Sequence, residues 1–470
     1  TAGAVGGSEP AATDVAADGS ESARAPVLPV LPVAVGQGTS VVRQVPTQLP
    51  ADVYAFTGRV EELATLDRLL PPRGPVPAEE DGSAAGNAMM IVVLAGTAGV
   101  GKTALAVHWA HRARRHFPDG QLYVDLRGYD PDQPAVARDI LARFLTALGL
   151  PDQEVPLDVE DRAARYRTEV TGRRLLILLD NAASVDQVRP LLPGTASCVV
   201  IVTSRDSLAG LVARHGARRL DLDLLPLAEA VALLGVLIGG RVAAEPEAAS
   251  ALASQCARLP LALRVATELA TTRASTPLAD LVRELADQQQ RLDLLDAGGD
   301  PRAAVRAVFS WSYRHLPLDA ARAFRLLGLH PGVDIDPGAA ASLAGISVPH
   351  ARQVLDLLTR THLVSLVGAS RYGMHDLLRA YATHLAGTWD TAGDRRAALP
   401  RLFVHDAAAA AEATATLDPA EPAGVRPEPQ PVVAGSAGDG PQVLAAPAVA
   451  PFAGVALARA WLDAERNTLV

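Results

Sequence analysis

Lysine is nearly absent from this sequence of 470 residues, and the exception is informative. Lysine and arginine together number 43, yet the only lysine is Lys102. An ammonium is a compact charge and a guanidinium is a planar fork, so the two do not replace each other at a tight anion site. The sequence therefore indicates that Lys102 stands where an ammonium is required.

Cysteine and aromatic residues are also scarce. Two cysteines, Cys198 and Cys256, are too few for a disulfide framework, which predicts a reducing, cytoplasmic location. Aromatic residues make up 4% of the chain, so its cores are expected to consist mainly of Leu, Val and Ala. No apolar run approaches the roughly 18 residues that span a bilayer, and the first residues do not resemble a signal peptide. We therefore expect no membrane contact, and the lack of an initiator methionine indicates the interior of a longer protein.

Positive charge is outnumbered by negative charge. The formal net charge is -9 and the sequence pI is about 5.7. A surface that neutralises many phosphates is usually basic, so the composition argues against this chain as the main contact to nucleic acid. With 470 residues, 49% of them hydrophobic, the chain can form about three domains.

Composition and periodicity divide the chain into six segments. In the fourth segment, 301–388, two extended stretches, 363–366 and 371–374, follow several short helices, which favours a winged-helix unit. The predicted segments are a disordered linker (1–48), an α/β domain (49–225), a helical domain (226–300), a winged-helix domain (301–388), a helix followed by an Ala/Pro/Gly-rich linker (389–454) and the start of a C-terminal helical region (455–470).

Five aliphatic runs in the second segment alternate with helical stretches, which is typical of βαβ units and a parallel sheet. In such open sheets the ligand binds at the carboxyl ends of the strands, so the residues that follow the runs are candidates for a site. The predicted strands are 89–95, 121–126, 175–180, 198–204 and 219–224.

A complete G-x-x-x-x-G-K-[ST] motif follows the first run and opens a helical stretch, which is the context of a P-loop. Its glycines let successive N–H groups point at one anion, and the helix N-terminus adds positive potential. Lys102 then reaches the β- and γ-phosphates of a nucleotide, and the Thr103 hydroxyl ligates Mg²⁺. The alternative, a glycine-rich turn that binds nothing, is disfavoured by the single lysine. The predicted phosphate-binding residues are Gly96, Thr97, Ala98, Gly99, Val100, Gly101, Lys102, Thr103 and Ala104.

Asp180 ends the third aliphatic run and is the predicted second ligand of Mg²⁺, in the role of a Walker B acid. Without the P-loop upstream, an Asp in this place would simply end a strand. The next residue is Asn181, where many P-loop ATPases carry a second acid that orients the attacking water. Because an amide is a poorer base, we expect hydrolysis to be slow.

Arg205 follows the fourth run. In the strand order expected for this class of ATPase, 5-1-4-3-2, that strand lies between the P-loop strand and the Walker B strand. Arg205 is then predicted to face the γ-phosphate and to report its presence, the alternative being a surface arginine on a loop. Lys102, Asp180, Asn181 and Arg205 are thus the candidate catalytic residues.

Six motifs in one order resemble the NB-ARC module of the STAND ATPases, over roughly residues 51–388. Single motifs of this kind are weak, but their order is specific. The resemblance implies a P-loop domain, a helical domain (ARC1-like) and a winged-helix domain (ARC2-like) that close around ADP and open on exchange for ATP. The motifs are Phe56-Thr57-Gly58-Arg59-x-Glu61, the P-loop, the Leu-rich strand with Asp180, Thr203-Ser204-Arg205, Leu259-Pro260-Leu261-Ala262-Leu263 and Met374-His375-Asp376.

The same resemblance implies further nucleotide contacts. Phe56 and Arg59 are expected near adenine, Pro260 against the base or sugar, and His375 at the β-phosphate of ADP. Pro260 could instead simply begin a buried helix, and His375 could be an exposed residue before one. Arg258 stands where the family usually has a glycine, which weakens the assignment of Pro260.

Segments 121–129, 178–182 and 460–466 are similar to the large AfsR-type members of the SARP family of transcriptional activators. That resemblance implies an N-terminal DNA-binding and activation part and a C-terminal tetratricopeptide (TPR) region, both beyond this chain. The expected function is an ATP/ADP switch that controls such an activator of secondary metabolism. DNA is then contacted only by the flanking domain, and ATP is expected to allow formation of a homo-oligomer. The alternatives are a continuously cycling ATPase and direct DNA binding by the winged helix, whose arginines are spread out. Adenine is implied by the family, and no guanine-specific N-K-x-D motif occurs, since Lys102 is the only lysine.

Overall fold

The computed structural model describes residues 45–70, 89–129, 134–286, 295, 305–368, 370–417 and 452–469. Most of the predicted linker 1–48 and the Ala/Pro/Gly-rich tract from 418 to 451 therefore lie outside the described residues. Within the described part, Gln121 donates its backbone N–H to the carbonyl of Pro46 at 2.7 Å, and Thr47 forms a parallel bridge with Gln121. The end of the predicted linker thus pairs with the second strand of the sheet.

A five-stranded parallel sheet forms the centre of the α/β region, with strand order β2-β3-β4-β1-β5. This confirms the predicted α/β fold and the order 5-1-4-3-2. Its strands are long aliphatic runs because both faces are covered by helices and buried. The strands are β1 (Met90–Gly96), β2 (Gln121–Asp125), β3 (Leu176–Ala182), β4 (Val199–Ser204) and β5 (Arg218–Leu222).

Helices and short 3₁₀ turns connect these strands on both faces. One core lies under the P-loop helix Lys102–Ala113 and continues into the helical region, and the other lies under Ala137–Ala147 and Val159–Val170. The remaining helical elements of this region are Val60–Asp67, Arg114–His116, Asp152–Glu154, Val185–Val188, Arg189–Leu191 and Ala209–His215.

In the helical region that follows β5, a turn just before Pro260 separates two helices. Apolar residues stand at helical spacing across 248–269, and within this stretch the chain turns between two helices, with Ala257 and Arg258 at φ 50° and 54°. Pro260 can begin the second helix because its missing N–H would have had no intrahelical partner there. The helices are Leu227–Ile238, Gly240–Ala244, Pro246–Gln255, Pro260–Thr272 and Leu278–Leu285.

The next region, called the winged-helix region below, comprises the described residues between 305 and 389. It combines helices with a small antiparallel sheet of order β6-β8-β7. Two of its strands correspond to the extended segments predicted for a winged helix. The third, β6, has two residues, too few to show an alternating pattern; its Asp334 pairs with Arg371 of β8 at 2.6 Å. The strands are β6 (Asp334–Ile335), β7 (Ser365–Val367) and β8 (Arg371–Gly373), and the helices are Val305–Arg314, Leu318–Leu327, Pro337–Ala344, Val348–Arg360 and Asp376–Trp389.

Two helices close the described chain. The long helix Ala392–Leu417 packs on Pro337–Ala344, and Val455–Leu469 packs on the long helix. Among the described residues, no helix combines the length and the hydropathy needed to cross a bilayer.

Candidate functional site

The P-loop joins β1 to the helix Lys102–Ala113, where the sequence predicts it. Gly96, Gly99 and Gly101 have φ values of 151°, 81° and 97°. Only glycine adopts such angles at little cost, so the loop can curl and turn its N–H groups inward. This cradle, followed directly by a helix N-terminus, suits a phosphate group.

Lys102 lies inside this cradle. Its Nζ donates hydrogen bonds to the carbonyls of Gly96 at 2.8 Å and Thr97 at 2.9 Å. Burial, followed by the nearby positive charge of Arg205, lowers the pKa of Lys102 to about 7. An anion beside this ammonium would offset both effects, which fits a phosphate-binding role.

Asp180 lies opposite the first turn of the P-loop helix. The Thr103 hydroxyl donates to Asp180 Oδ1 at 2.7 Å, Thr203 donates to the same oxygen, and the Tyr123 hydroxyl donates to Oδ2 at 3.3 Å. Burial raises the pKa of this carboxyl group. A hydroxyl and a carboxylate oxygen in contact beside the cradle are hard oxygen ligands of the kind that Mg²⁺ prefers, so the predicted metal pair fits the ion.

Asn181 has a structural reason for being an amide residue. The register of β3 with β4 shifts between Leu179 and Ala182, and Asn181 adopts φ 59° at that point. Asn tolerates this left-handed conformation better than most residues. Its backbone N–H donates to the Thr203 hydroxyl at 2.9 Å. The sequence explains Asn181 only as a weak base, whereas the structure adds this conformational role.

Arg205 is buried at the carboxyl end of β4, with 7% of its surface exposed, so it is not a surface arginine. Its guanidinium lies 4.9 Å from the ring centroid of Tyr129, and Nη1 donates to the Ser312 hydroxyl at 3.2 Å. Burial lowers the pKa of Arg205 to about 10, and the charge of Asp180 acts in the opposite direction. Arg205 therefore stands between the phosphate cradle and the winged-helix region.

The N-terminal motif has two predicted adenine contacts: Phe56 lies against the P-loop helix, and Arg59 contacts the P-loop. Phe56 stacks on the His108 ring with centroids 4.2 Å apart. Arg59 adopts φ 60° and donates from Nη2 to the carbonyls of Val100 at 3.2 Å and Asp223 at 2.6 Å. Arg59 thus connects the N-terminal motif to the P-loop by a hydrogen bond. Contact of Phe56 or Arg59 with adenine stays a prediction.

Pro260 and Leu261 pack on the P-loop. The Leu261 N–H donates to the Gly99 carbonyl at 3.3 Å, and a Cβ added at Gly101 would lie 3.6 Å from Pro260 Cγ. Arg258, just before the motif that contains Pro260, has a φ of 54°, in the left-handed region that glycine adopts most easily. Pro260 lies beside the loop with arginine at this position.

A cavity of about 740 Å³ lies where the P-loop, the end of β5 and the winged-helix region meet. Thr97, Arg219, Arg258 and His375 are among its lining residues. His375 is not exposed: its Nδ1 caps the following helix by accepting from the Leu378 N–H at 3.3 Å. Its Nε2 is buried and has no hydrogen-bond partner within the described part of the chain. Burial lowers the pKa of His375 to about 3, so the ring is neutral. Because Nδ1 accepts from the Leu378 N–H, the ring proton is on Nε2.

Several residues around the site carry no separate signal in the sequence. Thr203 appears in the predicted motif, but nothing there indicates that it binds Asp180. Tyr129 and Ser312 reach Arg205 from a loop and from another region, so only the folded chain brings the three together. His362, which lines the same cavity, follows a helix and resembles any turn residue in the sequence.

Known proteins resemble this chain in sequence. Residues 82–238 match the family model of the NB-ARC domain. The regulatory protein AfsR of Streptomyces coelicolor is 44% identical over 363 residues, which cover 76% of this chain and 35% of AfsR. AfsR of Streptomyces griseus is 43% identical over 378 residues, 80% of this chain and 37% of that protein. The chain therefore spans about a third of the length of these relatives.

Solved structures resemble it more distantly. A STAND protein with a tetratricopeptide repeat sensor from Pyrococcus horikoshii is 18% identical, with a TM-score of 0.33 over 77% of this chain and 47% of that one. The ORC2 protein of Aeropyrum pernix is 16% identical, with a TM-score of 0.44 over 72% of this chain and 96% of that one.

Proposed function

This chain carries an NB-ARC domain and is homologous to the regulatory protein AfsR over about three quarters of its length; we propose that it is an ATP/ADP-dependent conformational switch. In its closed form the switch holds ADP and Mg²⁺ between the P-loop, the helical region and the winged-helix region. Exchange of ADP for ATP then favours an open form.

The observation that carries this proposal is the position of Arg205. Its guanidinium is buried beside the phosphate cradle, close enough to Lys102 to affect the pKa of that ammonium. The same guanidinium donates to Ser312, on the helix Val305–Arg314 of the winged-helix region. A γ-phosphate would compete with Ser312 for this guanidinium, because an anionic phosphate attracts the positive charge and can accept two N–H bonds at once, whereas the serine hydroxyl is neutral. Arg205 can therefore convert the presence of that phosphate into a loss of contact between the two regions.

The positions of residues from the other two regions support the closed form. Pro260 and Leu261 of the helical region pack on the P-loop. His375 of the winged-helix region lines the cavity, and its Nε2 has no hydrogen-bond partner among the described residues. A ligand shifts a two-state equilibrium only by its difference in affinity for the two states. His375 supplies such a difference if it binds ADP only when the regions are closed.

Hydrolysis in this proposal is slow and serves to return the switch to its ADP form. Lys102, Asp180 and Arg205 surround the position of the phosphates, while Asn181 replaces the acid that would orient water. Asn181 also carries the left-handed backbone of the bulge, so its replacement by an acid would act on structure as well as on chemistry.

The wider role follows from homology to AfsR and extends beyond this chain. We place the switch in the cytoplasm, in a SARP-type transcriptional activator of secondary metabolism. The partners are a flanking DNA-binding and activation domain, through which DNA is reached indirectly, a TPR region and an ATP-dependent homo-oligomer.

The test is the rate at which a fluorescent ADP analogue leaves the protein in excess unlabelled ATP. Replacement Ser312→Ala removes one hydrogen bond to a charged group, and we expect release to become about tenfold faster. Ser254→Ala, an exposed serine of the helical region, is the matched control and should release ADP at the original rate. If Ser312→Ala and Arg205→Ala both release ADP as slowly as the original protein, the coupling through Arg205 is wrong.

A further inference from the structure

His362 occupies a constrained position at the edge of the cavity described above. It follows the helix Val348–Arg360 and precedes β7, with φ 55° and its backbone N–H bonded to the Thr359 carbonyl at 3.0 Å. Few residues other than glycine adopt this left-handed conformation, and histidine is one of the types that do so more often than most. The side chain lines the same cavity as Thr97 of the P-loop and His375.

The ring of His362 has a buried polar atom without a partner. Its Nε2 is shielded from solvent and, among the described residues, meets no donor or acceptor. The Nε2 of His375 is in the same condition. Leaving such an atom unsatisfied costs about 1–3 kcal/mol, and both residues line the same cavity, so a ligand there that reached the two rings would recover that cost.

The charges around His362 favour an anionic ligand. Burial, followed by the charges of Lys102 and Arg219, lowers the pKa of His362 to about 4, so the ring is neutral at pH 7. A neutral imidazole still carries one N–H that can donate to a phosphate oxygen. The cavity also contains both signs of charge: its lining includes the arginines Arg219, Arg258 and Arg360 and the carboxylates Asp221, Asp223 and Asp356. The charges that act on His362 itself, those of Lys102 and Arg219, are both positive.

We propose that His362 donates a hydrogen bond from its imidazole to a phosphate oxygen of the bound nucleotide, alongside His375. The winged-helix region then holds the closed form through two imidazoles on separate elements, one in the turn before β7 and one capping the helix Asp376–Trp389. This inference rests on the proposed function, since it assigns one more ligand to the same nucleotide.

Two replacements at this position distinguish the loss of the hydrogen bond from a disturbance of the fold. Glycine at 362 removes the ring and adopts φ 55° without strain. Glutamine keeps an N–H donor at a similar distance from the backbone. The matched control is His350→Ala, which removes a half-exposed histidine paired with Asp319 from the preceding helix. Circular dichroism and thermal unfolding establish that each variant is folded.

The measurement is again the dissociation rate of a fluorescent ADP analogue in the presence of Mg²⁺. We expect about tenfold faster release from His362→Gly, the equivalent of one hydrogen bond to a charged group. Release from His362→Gln should stay within about threefold of the original rate, and His350→Ala should not change it. Unchanged release from folded His362→Gly overturns the inference, and so does equal acceleration in the Gln and Gly variants.

The proposed function can fail separately from this inference. If the original protein binds no ADP, the switch itself is wrong. If the original protein binds ADP, Lys102→Ala does not, and His375→Ala releases it faster while His362→Gly does not, then only the role of His362 is wrong.

Discussion

Lys102 is the residue on which the composition of the chain and the geometry of the site agree most closely. A chain that uses arginine for every other such charge keeps one lysine, and that lysine lies in a cradle of backbone groups. Three donors on a narrow stem fit the carbonyls of Gly96 and Thr97, whereas a guanidinium would bring a wider, planar group into a buried loop.

Replacement Lys102→Arg should therefore abolish tight nucleotide binding although it conserves charge. We expect an increase in the ADP dissociation constant of at least about 100-fold, since charged hydrogen bonds of about 1.5–3 kcal/mol each are lost and the fork is not accommodated. Isothermal titration calorimetry with Mg²⁺ measures this. The reverse exchange on the exposed face of the same helix, Arg112→Lys, is the control and should leave the constant unchanged. ADP affinity in Lys102→Arg equal to that of the original protein would contradict the requirement for an ammonium.

At the scale of secondary structure, the sequence predicts the sheet well because its strands are buried on both faces. Such strands appear as uninterrupted aliphatic runs, and all five lie within a few residues of their predicted ends. The extension of β3 to Ala182 escapes prediction because it depends on the register shift at Asn181. The break before Pro260 depends on two left-handed residues that are not glycine, and β6 consists of two residues held by Arg371.

In the candidate site, too, some residues can be predicted from the local sequence and others cannot. Residues contiguous in the chain, such as the P-loop with Lys102 and Thr103, can be found from spacing alone. Contacts between regions, such as Arg205 with Ser312 or His362 with the P-loop cavity, depend on tertiary packing and have no local pattern.

The contact between the two C-terminal helices contains buried carboxyl groups. Asp406 is 3% exposed, and neither of its oxygens has a hydrogen-bond partner in the described residues. Burial, followed by the charges of Glu465 and Asp336, raises the pKa of Asp406 from its ordinary value of 3.8 to about 7. The folded protein therefore holds this proton more tightly than the unfolded chain, and stability decreases as pH rises from about 4 through about 7.

Replacement Asp406→Asn should remove this pH dependence. At pH 8 the free energy of unfolding should exceed that of the original protein by about 4 kcal/mol, since the shift is about three pKa units of about 1.4 kcal/mol each, and near pH 4 the two should agree. Urea unfolding at the two pH values measures both quantities. Glu412→Gln on the same long helix is the control and should show no such gain at pH 8. A loss of stability in Asp406→Asn at pH 8 would show that the charged carboxylate is favourable there.

At the scale of the whole molecule, one surface of the nucleotide-binding region is contacted by the two regions that follow it. Leu261 reaches Gly99, and Ser312 reaches Arg205, so the phosphate site is joined to both. The Arg205–Ser312 hydrogen bond is a polar contact that a ligand can break by competing for the guanidinium, which a switch between two states requires, whereas the apolar core is continuous from the P-loop helix into the helical region. The closed arrangement should consequently depend on the nucleotide that it holds.

The most direct measurement is the identity and amount of nucleotide released when the purified protein is denatured, with Lys102→Ala prepared in parallel. We predict ADP in nearly equal amount to the original protein and none from the variant. No nucleotide from either protein, together with no binding of ADP or ATP on titration with Mg²⁺, would contradict the central claim that this fold is a nucleotide-held switch.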